Sequence, residues 1–282
     1  MKEAELKGAR ALLNRSEFIE LVSVLEGIKP GMRLCRAGKR AGDLSELVSQ
    51  LGLFEGESAY AVEEAITSGK FVHTPRRLTR RPEKEDRRFV YVGADPLTIR
   101  LLKAFDLMDS RRFGLTMGYP DCCVEFFIRN FSRHRHFDLV PEIGLGNGRG
   151  YFPLLNYACR HFDYRLLSHF PCRWDCESSL KLARQTLQAL QRHDPKLAQE
   201  TLYWLESDVI YSPQFVIAVK DTTREENVLS LRKGFYRITG NLEADTVRFE
   251  QESATLIKDR ITIREVRPYQ WLPFQTKQTL LV

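Results

Sequence analysis

The sequence predicts an α+β fold, and three features of its 282 residues point there. Apolar residues recur at helical spacing through most of the first two hundred positions; alternating, β-branched runs take over from about residue 207. Between these patterns lie two tight cysteine groups, Cys122-Cys123 and Cys172-Arg173-Trp174-Asp175-Cys176. The expected organisation is a helical accessory region (1–74), a basic linker (75–88), a mostly helical cysteine domain (89–204) and an antiparallel β region (205–282).

With 43% hydrophobic and 28% charged residues, the chain can bury one or two ordinary cores. Charged residues interrupt every apolar stretch before the roughly 20 residues that a membrane helix needs, and the first residues lack a signal-peptide h-region. The expectation is a soluble, cytoplasmic protein with no membrane association.

Asn14 or Ser16 can cap a helix carrying Phe18, Ile19, Val22 and Leu25, stopped by Gly27 and Pro30-Gly31. Asp43 with Glu46 resembles a capping box ahead of Leu44, Leu47, Val48 and Leu51, and Gly52 closes that helix. Ser58 to Ser68 reads as a third. Such amphipathic helices ordinarily make a packing or docking module.

Arg76 to Arg88 holds seven Lys/Arg against three Asp/Glu, which accounts for most of the formal net charge of +6. With Pro82, this stretch reads as an exposed connection whose basic residues can contact RNA or another acidic partner. The rest of the chain is nearly balanced, so the charge is weak support for nucleic acid. Phe89–Val92 reads as a short strand, and Pro96–Leu107 as a helix with Leu97, Leu101, Leu102 and Phe105 on one face. The β region offers strands at 215–219, 235–238, 247–249 and 261–266, with turns at Gly240-Asn241 and Lys258-Asp259. It has neither Cys nor His, so ligation or catalysis is expected elsewhere.

Six cysteines in a reducing compartment are few for a disulfide scaffold, and clustering favours metal or catalysis. Both groups follow an aromatic-Pro pair and precede an apolar helical pattern, placing them in the first turns of helices. There, free N–H groups and the helix dipole favour thiolate. Cys172 and Cys176, four apart, would share a helix face, with His169 just outside it as a further donor. Cys122 and Cys123 would point about a hundred degrees apart, so one ligates and the other packs or reacts. The expected centre is therefore an iron–sulfur cluster or zinc held by Cys172, Cys176 and one or both of Cys122 and Cys123, with His169 as possible fourth donor. The missing Cys-x-x-Cys turn places iron–sulfur slightly ahead. Reduced, buried cysteines and a redox or nucleophilic thiol pair are the alternatives.

Gly118-Tyr119-Pro120-Asp121-Cys122-Cys123-Val124-Glu125-Phe126-Phe127 and Ser168-His169-Phe170-Pro171-Cys172-Arg173-Trp174-Asp175-Cys176-Glu177-Ser178-Ser179 together resemble an archaeal and bacterial family catalogued as domain of unknown function 483. The resemblance covers mainly residues 110 to 185. It implies a shared cysteine site and no particular reaction.

Gly144 to Gly150 alternates glycines, and Gly146, Gly148 and Arg149 make it a candidate substrate loop beside the cysteines. Arg129, Arg133, His134, Arg135 and His136 fit a helix C-terminus. Asn156, Tyr157, Arg160 and His161 can line the same pocket or serve as satisfied core groups. Three functional readings follow. One is a metal centre acting on a small or nucleic-acid-derived substrate; another is a non-enzymatic module with a structural metal and a basic linker for RNA or an acidic partner; the third is a thiol redox protein acting through Cys122-Cys123.

Overall fold

The computed structural model describes residues 3–37, 39–66, 73–78, 83, 86–131, 138–144, 150–212, 216–220, 223–225, 228–230, 235–238, 246–250, 253–258, 261–266 and 270–272. The architecture is α+β, with N-terminal helices and C-terminal strands. Among the described residues, no helix is long and apolar enough to cross a membrane.

After α1 (Glu3–Leu12), α2 (Arg15–Leu25) begins with the expected cap: the Asn14 side chain accepts from Glu17 N, and the Glu17 carboxylate accepts from Asn14 N. A second cap arrives from far along the chain, where the Asp163 carboxylate accepts from the backbone N–H groups of Arg15 and Ser16 at 2.7 and 3.1 Å. Phe18, Ile19, Leu21, Val22 and Val24 are all buried, so this helix is covered nearly all round. Gly27, at φ +67°, ends it in the left-handed conformation glycine adopts without penalty.

The N-terminal region is not purely helical. β1 (Gly31–Arg36) precedes α3 (Lys39–Gln50), which starts four residues before the Asp43 expected to open it. The helix expected from Ser58 is a strand, β2 (Phe54–Ile66), with positions 67 and 68 outside the described residues. Alanine and glutamate favour helix here, but pairing with a buried strand overrides propensity. A register shift between Glu57 and Ala61 leaves neighbours Ala61 and Val62 both buried, which disguises the alternation a strand normally shows.

The segment expected as linker contributes β3 (His73–Arg77), and β4 (Arg88–Gly93) follows; residues 79–82, 84 and 85 lie outside the described set. These strands form one sheet in the order β1-β4-β2-β3, with all three pairings antiparallel. β4 is its inner wall. Val90 and Val92 face the main core with Met32 and Leu34, whereas Phe89 and Tyr91 face a second core with Ile99 and Leu102 of α4 (Pro96–Phe105). The buried face of α4 is Thr98, Ile99 and Leu102; Leu97, expected inside, is exposed.

Next come α5 (Ser110–Thr116), α6 (Asp121–Asn130), a run of 3₁₀ turns, and the hairpin α7 (Glu177–His193) and α8 (Pro195–Leu205). α7 lies on α2, where Ser23 and Thr186 hydroxyls meet at 3.3 Å inside the interface.

The C-terminal strands are antiparallel as expected, but they form two sheets. One runs β13 (Gln270–Leu272), β5 (Asp208–Tyr211), β6 (Val216–Lys220), β9 (Phe235–Ile238). The other runs β12 (Ile261–Val266), β11 (Ser253–Lys258), β10 (Thr246–Glu250), β8 (Val228–Ser230), β7 (Thr223–Glu225). Lys258 pairs with Ile261, consistent with a turn at that point, whereas Gly240-Asn241 and Asp259 lie outside the described residues. Val209, Tyr211, Val216 and Ala218 attach the first sheet to the main core.

Candidate metal centre

Two chain segments build the site. The first is the approach to α6. Gly118 has φ +77°, and a Cβ there would lie 2.7 Å from Pro30 Cδ, so only glycine fits both the backbone and the space. Pro120 then opens α6 and places Cys122 and Cys123 in its first turn, as expected. Arg111 bridges Asp121 and Glu125 on the solvent side of that turn.

The second segment departs from expectation. Cys172 to Cys176 is a turn rather than a helix face, and Cys176 occupies the N-cap position of α7. Distant backbone shapes this turn: Trp174 N donates to Gly144 O at 3.0 Å, and Phe152 N donates to Trp174 O at 3.2 Å. Trp174 is buried against Tyr151 and anchors it.

The turn brings four sulfurs together. The Sγ atoms of Cys122, Cys123, Cys172 and Cys176 all lie within 4.8 Å of one another and can hold a metal ion. Cys122 is 3.9 Å from Cys123 and 3.8 Å from Cys176, and Cys123 is 3.7 Å from Cys176. Both vicinal sulfurs therefore belong to the group, contrary to the hundred-degree argument. Adjacent side chains can still converge when the third and fourth donors come from a turn facing the helix end.

Crowding separates the thiols electrostatically. Hydrogen bonding from Cys123 and Cys172, joined by Ser179, holds the Cys176 thiol far below its usual range. Contacts with Cys172 and Cys176, and then burial, push Cys123 up. Cys172 is drawn down by Cys123, but Cys176 and burial outweigh this and raise it to about 12. Without a cation, one negative charge is accommodated first and the next is resisted, an arrangement that a bound metal ion reverses.

His169 is not one of the clustered donors. Its Nε2 lies 2.9 Å from Ser179 Oγ, and Ser179 Oγ lies 3.2 Å from Cys123 Sγ. Burial holds the imidazole neutral, with its pKa down to about 3. When Cys123 is thiolate, the hydroxyl hydrogen of Ser179 goes to sulfur, so His169 must donate Nε2–H to the serine oxygen. His169 thus lies behind the cluster, its ring centre 5.0 Å from that of Tyr119 and tilted 38° to it.

Behind this pair sits buried Lys29, which donates to Glu20 and Ser168 and lies 5.3 Å from the Tyr119 ring centre. Burial alone would raise the Glu20 carboxyl, but Lys29 and Arg165 bring it below its ordinary value. This network joins the end of α2 to both cysteine segments. Sequence reasoning missed Glu20, Lys29, Ser168 and Ser179; Ser179 alone left a local signal, three positions into the helix that Cys176 caps.

Gly146, Gly148 and Arg149, the candidate substrate loop, lie outside the described residues, as do Arg133, His134, Arg135 and His136. Gly144 pairs with Arg173, which places the start of that loop beside the cysteine turn. Asn156, Arg160 and His161 serve the core. The Asn156 amide donates to Leu205 O and Ser207 O, while Arg160 and His161 hold the buried Asp138 carboxylate. No protein-family model, curated protein or solved structure matches this chain.

Proposed function

We propose that Cys122, Cys123, Cys172 and Cys176 bind one zinc ion in a closed tetrahedral thiolate centre that locks α6 to the turn before α7. The observation carrying this reading is the sulfur spacing. Metal–sulfur bonds of about 2.3 Å give a regular tetrahedron edges of about 3.8 Å. The separations among Cys122, Cys123 and Cys176, at 3.7, 3.8 and 3.9 Å, match that figure, and Cys172 Sγ lies within 4.8 Å of each. A four-iron cluster puts each thiolate on a different iron and spreads the sulfurs wider, so the spacing favours a single ion over the iron–sulfur expectation.

Four protein sulfurs complete the coordination of such an ion, leaving no open position for Lewis-acid chemistry. The centre then contributes folding energy, and any reactivity belongs to its sulfurs. The motifs carrying the resemblance to domain of unknown function 483 supply all four, so we read this centre as the feature that family would share.

Elemental analysis of the purified full-length chain tests the proposal. The expected result is about one zinc per chain without iron or acid-labile sulfide, and strong sulfur-to-metal charge transfer after replacement by cobalt(II). Iron with sulfide would overturn it. So would a metal-free protein whose thiol titre falls by two on mild oxidation, which is the result a redox pair requires.

A further inference from the structure

Resting on the zinc reading, we propose that Cys122 is the reactive thiolate of the centre. The groove beside it would take a small molecule bearing an anionic group and a soft electrophilic carbon. Three independent observations meet at this sulfur.

Access is the first. Cys123 and Cys176 are buried and Cys172 is half-buried, whereas Cys122 is exposed. Hydrogen bonding is the second. Cys123 accepts from Cys172 N at 3.4 Å and meets the Ser179 hydroxyl. The sulfur of Cys122 meets only the sulfurs of Cys123 and Cys176 among the described residues. Donors to a thiolate withdraw its charge, so a metal-bound sulfur that lacks them keeps the greatest nucleophilicity.

The groove is the third. It has a volume of about 610 Å³, the size of a small-molecule site, and Cys122 forms part of its wall. Ile28, Pro120 and Leu182 supply apolar surface, while Ser178, Lys181 and Gln185 supply polar groups. Asp121 also lines it but is engaged by Arg111 at 3.0 Å. Lys181 is the one cation among the residues lining the groove and no ion pair engages it among the described residues, so its ammonium is the group that can receive an anionic group while carbon rests near sulfur.

The step is a displacement at carbon. A lone pair on Cys122 Sγ forms the S–C bond as the bond from that carbon to its leaving group breaks, and the leaving group departs with the bonding pair. No oxidant or proton is consumed. The product is a neutral thioether, a weaker ligand, so transfer loosens the metal as it proceeds.

The test uses zinc-loaded full-length protein, limiting iodoacetate or iodoacetamide, and mass-spectrometric mapping of every cysteine, with zinc measured in the same sample. Cys122 is expected to carry at least about tenfold more early label than Cys123, Cys172 or Cys176. Lys181→Met, a surface change remote from the sulfurs' hydrogen bonds, should slow iodoacetate about threefold and leave iodoacetamide unchanged. Even labelling of the four sulfurs with zinc retained overturns the inference while sparing the zinc reading; absence of zinc overturns both. An equal effect of Lys181→Met on the two reagents refutes the anionic ligand.

Discussion

Replacing Lys29 by Met is expected to be among the most damaging single changes outside the cysteines. Lys29 is buried and donates to Glu20 and Ser168, and Glu20 is itself buried. Methionine fills similar volume but strands the carboxylate. Breaking one partner of a buried pair costs about 3–5 kcal/mol, and Arg165, 3.8 Å from Glu20, places the expected loss at the lower end, about 3 kcal/mol. Against a typical total of about 5–15 kcal/mol, that is a large fraction. Urea unfolding followed by tryptophan fluorescence should show a midpoint lower by about 1 M or more. The double variant Glu20→Gln/Lys29→Met removes both charges and should recover most of the loss, giving a coupling energy of about 2 kcal/mol. A single variant costing under about 1 kcal/mol, or a double variant costing the sum of both singles, would refute the reasoning. Metal binding at neutral pH should not change, because Lys29 touches none of the sulfurs.

Two other perturbations probe the same neighbourhood. Gly118→Ala combines a left-handed backbone with the close approach to Pro30, so it should cost about 2–4 kcal/mol and weaken metal retention. Gly27→Ala, left-handed but facing open space, should cost only about 1 kcal/mol, and equal costs in melting experiments would show that the Pro30 contact is immaterial. For His169, the unfolded chain gains its proton near pH 6.5 while the folded chain resists to about 3. Its contribution is therefore complete above pH 6.5 and falls as pH drops towards 3, with about 2 kcal/mol gone at pH 5. His169→Asn should flatten the stability profile over that range, and an unaltered slope would show that the imidazole is not held neutral.

Local signals were legible wherever the local sequence decides the structure. The cap at Asn14, the strands at 235–238 and 261–266, and the placement of Cys122-Cys123 in a helix start all follow from neighbouring residues. Ser58 to Ile66 misled because its composition favours helix while pairing with Arg88–Gly93 decides the outcome. The clustering of four cysteines was visible in their grouping, but its geometry was not. Cys172 and Cys176 converge through a turn pinned by Gly144 and Phe152, contacts that no spacing rule contains. His169 lies beside the cluster but outside its close donors, because Ser179 intervenes only in three dimensions.

The Asp163 cap on α2 bears on the order in which this protein can be made. Asp163 is 148 positions beyond Arg15, and its own backbone sits at φ +67°, in the left-handed region that aspartate enters more readily than most side chains. During synthesis the second helix emerges with one cap satisfied and waits for the other until the chain 148 positions beyond Arg15 has been made. The Lys29 ammonium waits for Ser168 over the same interval. These helices are therefore made before the residues that fix their place, and a truncated chain ending before residue 163 should leave them without those contacts.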